Sequence, residues 1–368
     1  MAPTIVLLTG ATGFIGGATA AQLLDDPRVD LLLLLVRAPC APTAWDRVRR
    51  SLARFKQPAD VDRARPRVGI LLGDLCDPEA LADPRLEGVT HVLHAAANTS
   101  FRSRREVYRT NVQGALALAE RMRSAPRLER YVHVSTAYCC GVANTPVVHE
   151  DDAPREEAAH VVEYTRSKAA CELLLAAAAP SLPLVVARPS VVVGHTELGC
   201  APSASLFWYY RVLARIRRAP FPPERARDIV PVDYVGEALR MLLFSTTLKW
   251  RVYHVSSGEG ACVRWGEVAA AFARHDGADD AELSQCVAPD SIGDPSLLRH
   301  FFGPGDAERL ASALALCARF GTIGVEYFDN RRLLAEGMRP PPKFTDYLDR
   351  CLAHSAGRSV YEELGDDA

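Results

Sequence analysis

Long hydrophobic runs are missing from the 368-residue chain: its most apolar stretches, LLLLLV at 31–36 and LLLAAAA at 173–179, are far short of the ~20 residues a membrane-spanning helix needs. No span is therefore expected. The N-terminus, MAPTIVLLTG, lacks the basic start, apolar core and small-residue cleavage site of an export leader, and the expected location is cytoplasmic. An excess of one charge is also absent, with 43 Lys and Arg against 45 Asp and Glu for a net −2. Nothing in that balance recruits nucleic acid, and none is expected as a partner. Ten cysteines are present but no paired C-x-x-C spacing, and the adjacent Cys139 and Cys140 cannot easily bridge each other, so reduced thiols are expected. His91, His94, His133, Cys139 and Cys140 cluster in sequence, yet residues three apart on a strand point to opposite faces. No metal is expected. Internal repeats and low-complexity linkers are lacking as well.

What is present is an ordinary globular composition, 48% hydrophobic and 24% charged, on a chain long enough for a large core and a second region. Short Val, Leu and Ile runs alternate with helix-like stretches through the first half. The pattern predicts strands at about 4–9, 31–36, 68–72, 90–94, 129–135 and 184–188, and helices at about 14–25, 43–56, 104–124 and 160–179. That order predicts an α/β, Rossmann-type doubly wound parallel sheet, which binds ligands beyond the carboxyl ends of its strands. After residue 195 the pattern loosens. ASLFWYYRVLARIRR reads as a helix, 225–244 as a short strand and a helix, and WRVYHVSSG at 250–258 as a buried strand. The expected organisation is a dinucleotide-binding domain over 1–194, with 225–258 returning to its sheet. A smaller, mostly helical substrate-binding region is expected from 195–224 and 259–368, and its acidic tail EELGDDA should fray.

TIVLLTGATGFIGGATAAQLL sets Gly10, Gly13 and Gly16 between the first strand and the first helix, with Thr12, Phe14 and Ile15 among them. Glycines there let backbone N–H groups approach a pyrophosphate, although a tight turn alone would use them too. At the end of the second strand LLLLLVRAPC offers Arg37 and no acid, and Arg47 follows in the next helix. Guanidinium groups there suit the 2′-phosphate of NADPH, whereas an acid would suit NAD. Asp74, in LLGDL beside Leu75, is placed either to accept from an adenine amino group or to cap a helix. Ala95, Ala96 and Ala97 would let a cofactor lie against the backbone, and Ser135 and Thr136 put hydroxyls at the end of the fifth strand. In EYTRSKAACE, Tyr164 and Lys168 lie one helical turn apart on the same side.

Taken in order, TGATGFIG, GDL, HAAANTSF, NVQG, HVSTAY, EYTRSK, ARPSVVVG and DIVPVDYV resemble the extended short-chain dehydrogenase/reductase superfamily. More narrowly they resemble its fatty acyl-CoA reductases and the thioester reductases that release chains from carrier proteins. The resemblance is strong over about 4–260 and loose beyond. It implies that Tyr164 is the catalytic acid, that Lys168 holds the cofactor ribose and lowers the phenol's pKa, and that Thr136, ahead of Ser135, bonds the substrate oxygen. It further implies a supporting role for Asn111 of NVQG, unless its bonds are purely structural, and a nicotinamide lining from Pro189, Ser190, Val191 and Val192.

The activity implied is NADPH-dependent reduction of an acyl thioester to an aldehyde, with onward reduction to the alcohol left open. Hydride addition would give a hemithioacetal oxyanion that Thr136 and Tyr164 stabilise before the thiol leaves. With no fused carrier domain in this chain, a coenzyme A thioester or a separate acyl or peptidyl carrier protein is the expected donor, and a homodimer is possible by analogy. Phe207, Trp208, Tyr209 and Tyr210 could line an acyl channel while Arg211, Arg215 and Arg218 face phosphates or an acidic carrier, but an amphipathic helix with its aromatics in the core and its arginines in water is the favoured reading. A dehydrogenase or epimerase of a small alcohol, ketone or nucleotide sugar shares the same site residues. A non-catalytic NADPH sensor would need neither the tyrosine nor the lysine.

Overall fold

The computed structural model describes residues 2–99, 103–178, 180–203, 205–275, 277 and 284–366. Seven strands form one parallel sheet: β1 (Ile5–Thr9), β2 (Leu31–Val36), β3 (Val68–Leu72), β4 (His91–His94), β5 (Arg130–Val134), β6 (Leu184–Pro189) and β7 (Val252–Val255). Their order is β3-β2-β1-β4-β5-β6-β7, so the winding reverses between β1 and β4 and opens a crevice at their carboxyl ends. Register explains why the strands read as unbroken apolar runs. Leu7 lies opposite Leu33 and Val92, and successive side chains serve opposite layers.

Val6, Leu8, Leu32 and Leu34 join the core formed with α1 (Phe14–Asp25), α2 (Ala41–Leu52) and, from much later in the chain, α7 (Val232–Phe244). Leu7, Leu33 and Val92 join the opposite core, formed with a helical segment after β4 and with α5 (Glu163–Ala178). Each fully buried Leu or Val contributes roughly 1.5–3 kcal/mol. Two expected helices differ in detail. The one at 43–56 begins at Ala41 and ends at Leu52, because Pro58 starts a separate short helix over Pro58–Ala64. The one at 104–124 is α3 (Arg104–Tyr108) and α4 (Ala115–Arg123), joined by a π-helical stretch, Arg109–Gly114.

The last strand returns to the sheet as expected, whereas Ile229–Val230 pairs only with Val191–Val192 in a two-stranded patch above it. A further core packs α6 (Phe207–Ile216) against α8 (Trp265–His275), α9 (Pro295–Phe302), α10 (Ala307–Gly321) and α11 (Phe344–Ser355). The acidic tail is not frayed at its start: α12 (Val360–Asp366) is helical, and buried Glu363 lies 3.1 Å from the Arg211 guanidinium. Among the described residues no helix is long and apolar enough to cross a membrane, and no group of three His, Cys, Asp or Glu could hold a metal.

Candidate active site

The turn after β1 is built for close approach. Gly10 has φ +79°, and a Cβ there would lie 2.7 Å from the backbone of Ala95 and Ala96; a Cβ on Gly16 would collide with the Gly10 carbonyl. Gly13 caps α1 without any side chain and no acid occupies the first turn, so the leading N–H groups and the positive end of the helix face the crevice. Arg54, which sequence reasoning did not single out, braces this turn from behind. Its Nη2 donates to the Thr12 and Gly13 carbonyls at 3.2 Å, and its Nη1 donates to Pro202 O at 3.2 Å. Thr12 itself does not line the cavity.

A cavity of about 500 Å³ runs from Gly10, Gly13 and Gly16 past Ala95 and Ala97 to Thr136, Tyr164 and Lys168. Phe14, Ile15, Ser135 and Pro189 to Val192 also line it. Ala96 is instead held below, its N–H donating to Thr9 Oγ1 at 3.1 Å. That hydroxyl is 2.7 Å from Nδ1 of His94, whose ring burial holds near a pKa of about 3, hence neutral. Ser100 and Phe101 of the NTSF motif lie outside the described residues.

Tyr164, Lys168 and Glu172 fall at every fourth position of α5, on one face. Burial pushes the Tyr164 phenol up to about 12, so it is a protonated acid throughout the ordinary pH range. The Lys168 ammonium donates to the Val134 carbonyl at 2.7 Å. Burial also lowers the pKa of Lys168 itself. Glu172 fixes the helix to the sheet through a buried fork with Arg188, 2.7 Å at its shortest, and accepts the Ser135 hydroxyl. Ser135 is thereby engaged, whereas Thr136, whose Oγ1 accepts the Tyr138 N–H at 3.3 Å, lines the cavity.

Asn111 does not line the cavity. Its carboxamide clamps Asn98 in both directions, at 2.7 and 3.0 Å, and donates to Ser167 Oγ at 2.9 Å, which in turn donates to the Tyr164 carbonyl. It ties the start of α5 to the backbone at Asn98 from within the π-helical stretch, a backbone form frequent at functional sites.

At the far edge, Arg37 is largely exposed and 3.6 Å from Asp74, while Arg47 donates to the Arg37 carbonyl. Asp74 caps no helix; it accepts the Cys76 N–H at 2.9 Å, and Asp77 caps the next helix. Leu75 is buried and faces a separate surface cleft. The α6 aromatics divide: Tyr209 and Tyr210 line the cavity, whereas Phe207 and Trp208 pack in the C-terminal core. Arg211 and Arg215 border a different cleft, with Phe301 and Phe302. An uncapped helix end, a backbone shelf and a tyrosine–lysine pair along one crevice fit a bound nicotinamide dinucleotide.

A family model described as male sterility protein matches residues 8–239. The aldehyde reductase lnaA of Aspergillus flavus is 31% identical over 268 residues, covering 68% of this chain and 25% of that protein. The putative fatty acyl-CoA reductase CG8303 of Drosophila melanogaster is 28% identical over 298 residues, 69% of this chain and 55% of that protein. The chain therefore spans a quarter to about half the length of these curated relatives. In fold it is similar to the terminal R domain from the myxalamid PKS-NRPS biosynthetic pathway, with a TM-score of 0.77 at 20% identity over 97% of this chain and 92% of that one.

Proposed function

From the premise that the chain belongs to the male sterility protein family, within the extended short-chain dehydrogenases/reductases, we propose that it is an NADPH-dependent reductase of acyl thioesters. The observation that carries this reading is the meeting of Thr136, Tyr164 and Lys168 with the glycine turn around one cavity. The bound cofactor would supply hydride from its nicotinamide ring. Everything else falls to side chains of this chain. Thr136 and Tyr164 would bond the thioester oxygen and strengthen those bonds as it gains negative charge, the arrangement that favours a tetrahedral oxyanion over the planar ester. Tyr164 would hold the proton for that oxygen, and Lys168 would turn from the Val134 carbonyl toward the cofactor ribose. Collapse of the adduct would release a thiol and leave an aldehyde.

Arg37 and Arg47, side by side beyond β2, support NADPH as the cofactor, although Arg37 is also 3.6 Å from Asp74. Coenzyme A or a carrier protein is the proposed acyl donor, and a dinucleotide domain over 1–194, joined by 225–258, with a substrate region from 195–224 and 259–368 is the proposed division. The test follows NADPH absorbance with matched thioesters, aldehydes and ketones. Thioester turnover with stoichiometric free thiol is expected, and Tyr164→Phe should lose at least about 100-fold in kcat while retaining NADPH affinity. Turnover of aldehydes or ketones alone, or an unimpaired Tyr164→Phe enzyme, would overturn the assignment.

A further inference from the structure

Arg227 is a buried cation that rests on an aromatic ring and has no ion-pair partner among the described residues. It lines the wall of the active-site cavity and is 8% exposed, with its guanidinium carbon 3.8 Å from the centre of the Phe221 ring. Its Nε and Nη2 have no hydrogen-bond partner, and among the described residues no carboxylate forms an ion pair with it. Its neighbours do not explain it. Asp228 accepts the N–H groups of Ser257 and Phe328, at 2.7 and 2.8 Å, and Arg225 has its own partners in Glu326 and the Gly324 carbonyl. The contrast with Arg188 is direct: that arginine, equally buried, has a carboxylate fork from Glu172. An uncompensated charge in a poorly hydrated wall is costly, and the missing anion belongs where the open space is.

We propose that Arg227 binds a carboxylate on the acyl group of the substrate, which makes the protein selective for thioesters of acids bearing a second acid function. The proposal rests on the thioester reductase reading and names its substrate class. One cation with a planar fork matches one planar monoanion, and a carboxylate is such a group. Arg227 shares the lining of one cavity with Thr136, Tyr138 and Tyr164. An anion held by Arg227 therefore lies in the same cavity as the reacting carbon. Phe221, Tyr209 and Tyr210 would enclose the chain, and the Tyr209 hydroxyl, also buried without a partner, is a second donor.

The test uses N-acetylcysteamine thioesters, which carry no phosphate, of two acyl groups of equal length, one ending in a carboxylate and one in its methyl ester. The parent protein should prefer the carboxylate in kcat/KM by on the order of 30-fold or more, and Arg227→Met should collapse that ratio while Arg227→Lys keeps part of it. Arg227→Met should melt no lower than the parent, since it removes an unpaired buried charge; a merely structural arginine would behave oppositely. Equal rates on both thioesters in the parent, or a proportionate loss on both in Arg227→Met, would overturn the proposal. Calorimetric titration with free dicarboxylates from succinate to adipate separates the two readings. Binding to the parent and not to Arg227→Met, with no thioester reduced, would sink the reductase reading and leave the carboxylate site standing. Reduction of both thioesters without dicarboxylate binding would do the reverse.

Discussion

Tyr164, Lys168 and Glu172 follow one another along a single face of α5, and only the first two touch the cavity. Helical spacing alone puts the phenol and the ammonium on one side, and their chemical use was legible through the ordered motifs around them. Glu172 stood at the next turn, inside the same ten-residue stretch, and its partner Arg188 is 16 residues on; the fork exists only once β6 lies beside α5. Arg54 and Arg227 were hidden for the same reason, since the carbonyls that Arg54 braces lie about 40 residues away and the emptiness around Arg227 is a property of packing. Arg37 gives a prediction at this scale. Arg37→Ala should raise the Michaelis constant for NADPH about tenfold or more and leave that for NADH nearly unchanged, as a lost charged hydrogen bond to phosphate requires. Steady-state kinetics with both cofactors checks it, and equal losses would refute NADPH selectivity.

The strands and α1 formed almost where periodicity put them, because a parallel strand buried on both faces has a signature that tertiary contacts do not alter. Breaks within helices were less visible. The π-helical stretch at Arg109–Gly114 leaves no mark in an apolar pattern, yet it is where Asn111 gains its reach to Asn98 and Ser167. The glycine turn is the element on which cofactor binding depends most. Gly16→Ala should weaken NADPH binding by about 100-fold in a fluorescence titration, since its methyl group must displace the Gly10 carbonyl that shapes the turn. Unchanged affinity would mean that the turn does not meet the pyrophosphate.

On the scale of the whole molecule, the C-terminal third was the least legible part: its helices were readable, but not their attachment to the sheet. One joint carries a titratable group. Glu150 is buried, accepts the His254 N–H at 3.4 Å, and burial raises its pKa from 4.5 to about 7. The folded state therefore binds this proton more tightly than the unfolded one. Stability is unaffected by Glu150 below about pH 4.5, falls as pH rises toward 7, and carries the full penalty above it. Glu150→Gln should accordingly melt higher than the parent at pH 8, by on the order of 2 kcal/mol, with the gap closing near pH 5. Arg332 keeps its ion pair with Asp151 in that variant. Thermal denaturation at the two pH values decides it, and a gap independent of pH would contradict the assignment.

The active-site cavity has a floor and a roof of separate origin. The glycine turn, Thr136, Tyr164 and Lys168 rise from the sheet and α5, while Tyr209, Tyr210, Phe221 and Phe320 descend from the C-terminal core and the loops beside it. Each half is anchored in its own apolar cluster, so a change in one need not disturb the other. With such a partition, substitutions in the roof would recut the space that a ligand fills while leaving the floor beneath it in place.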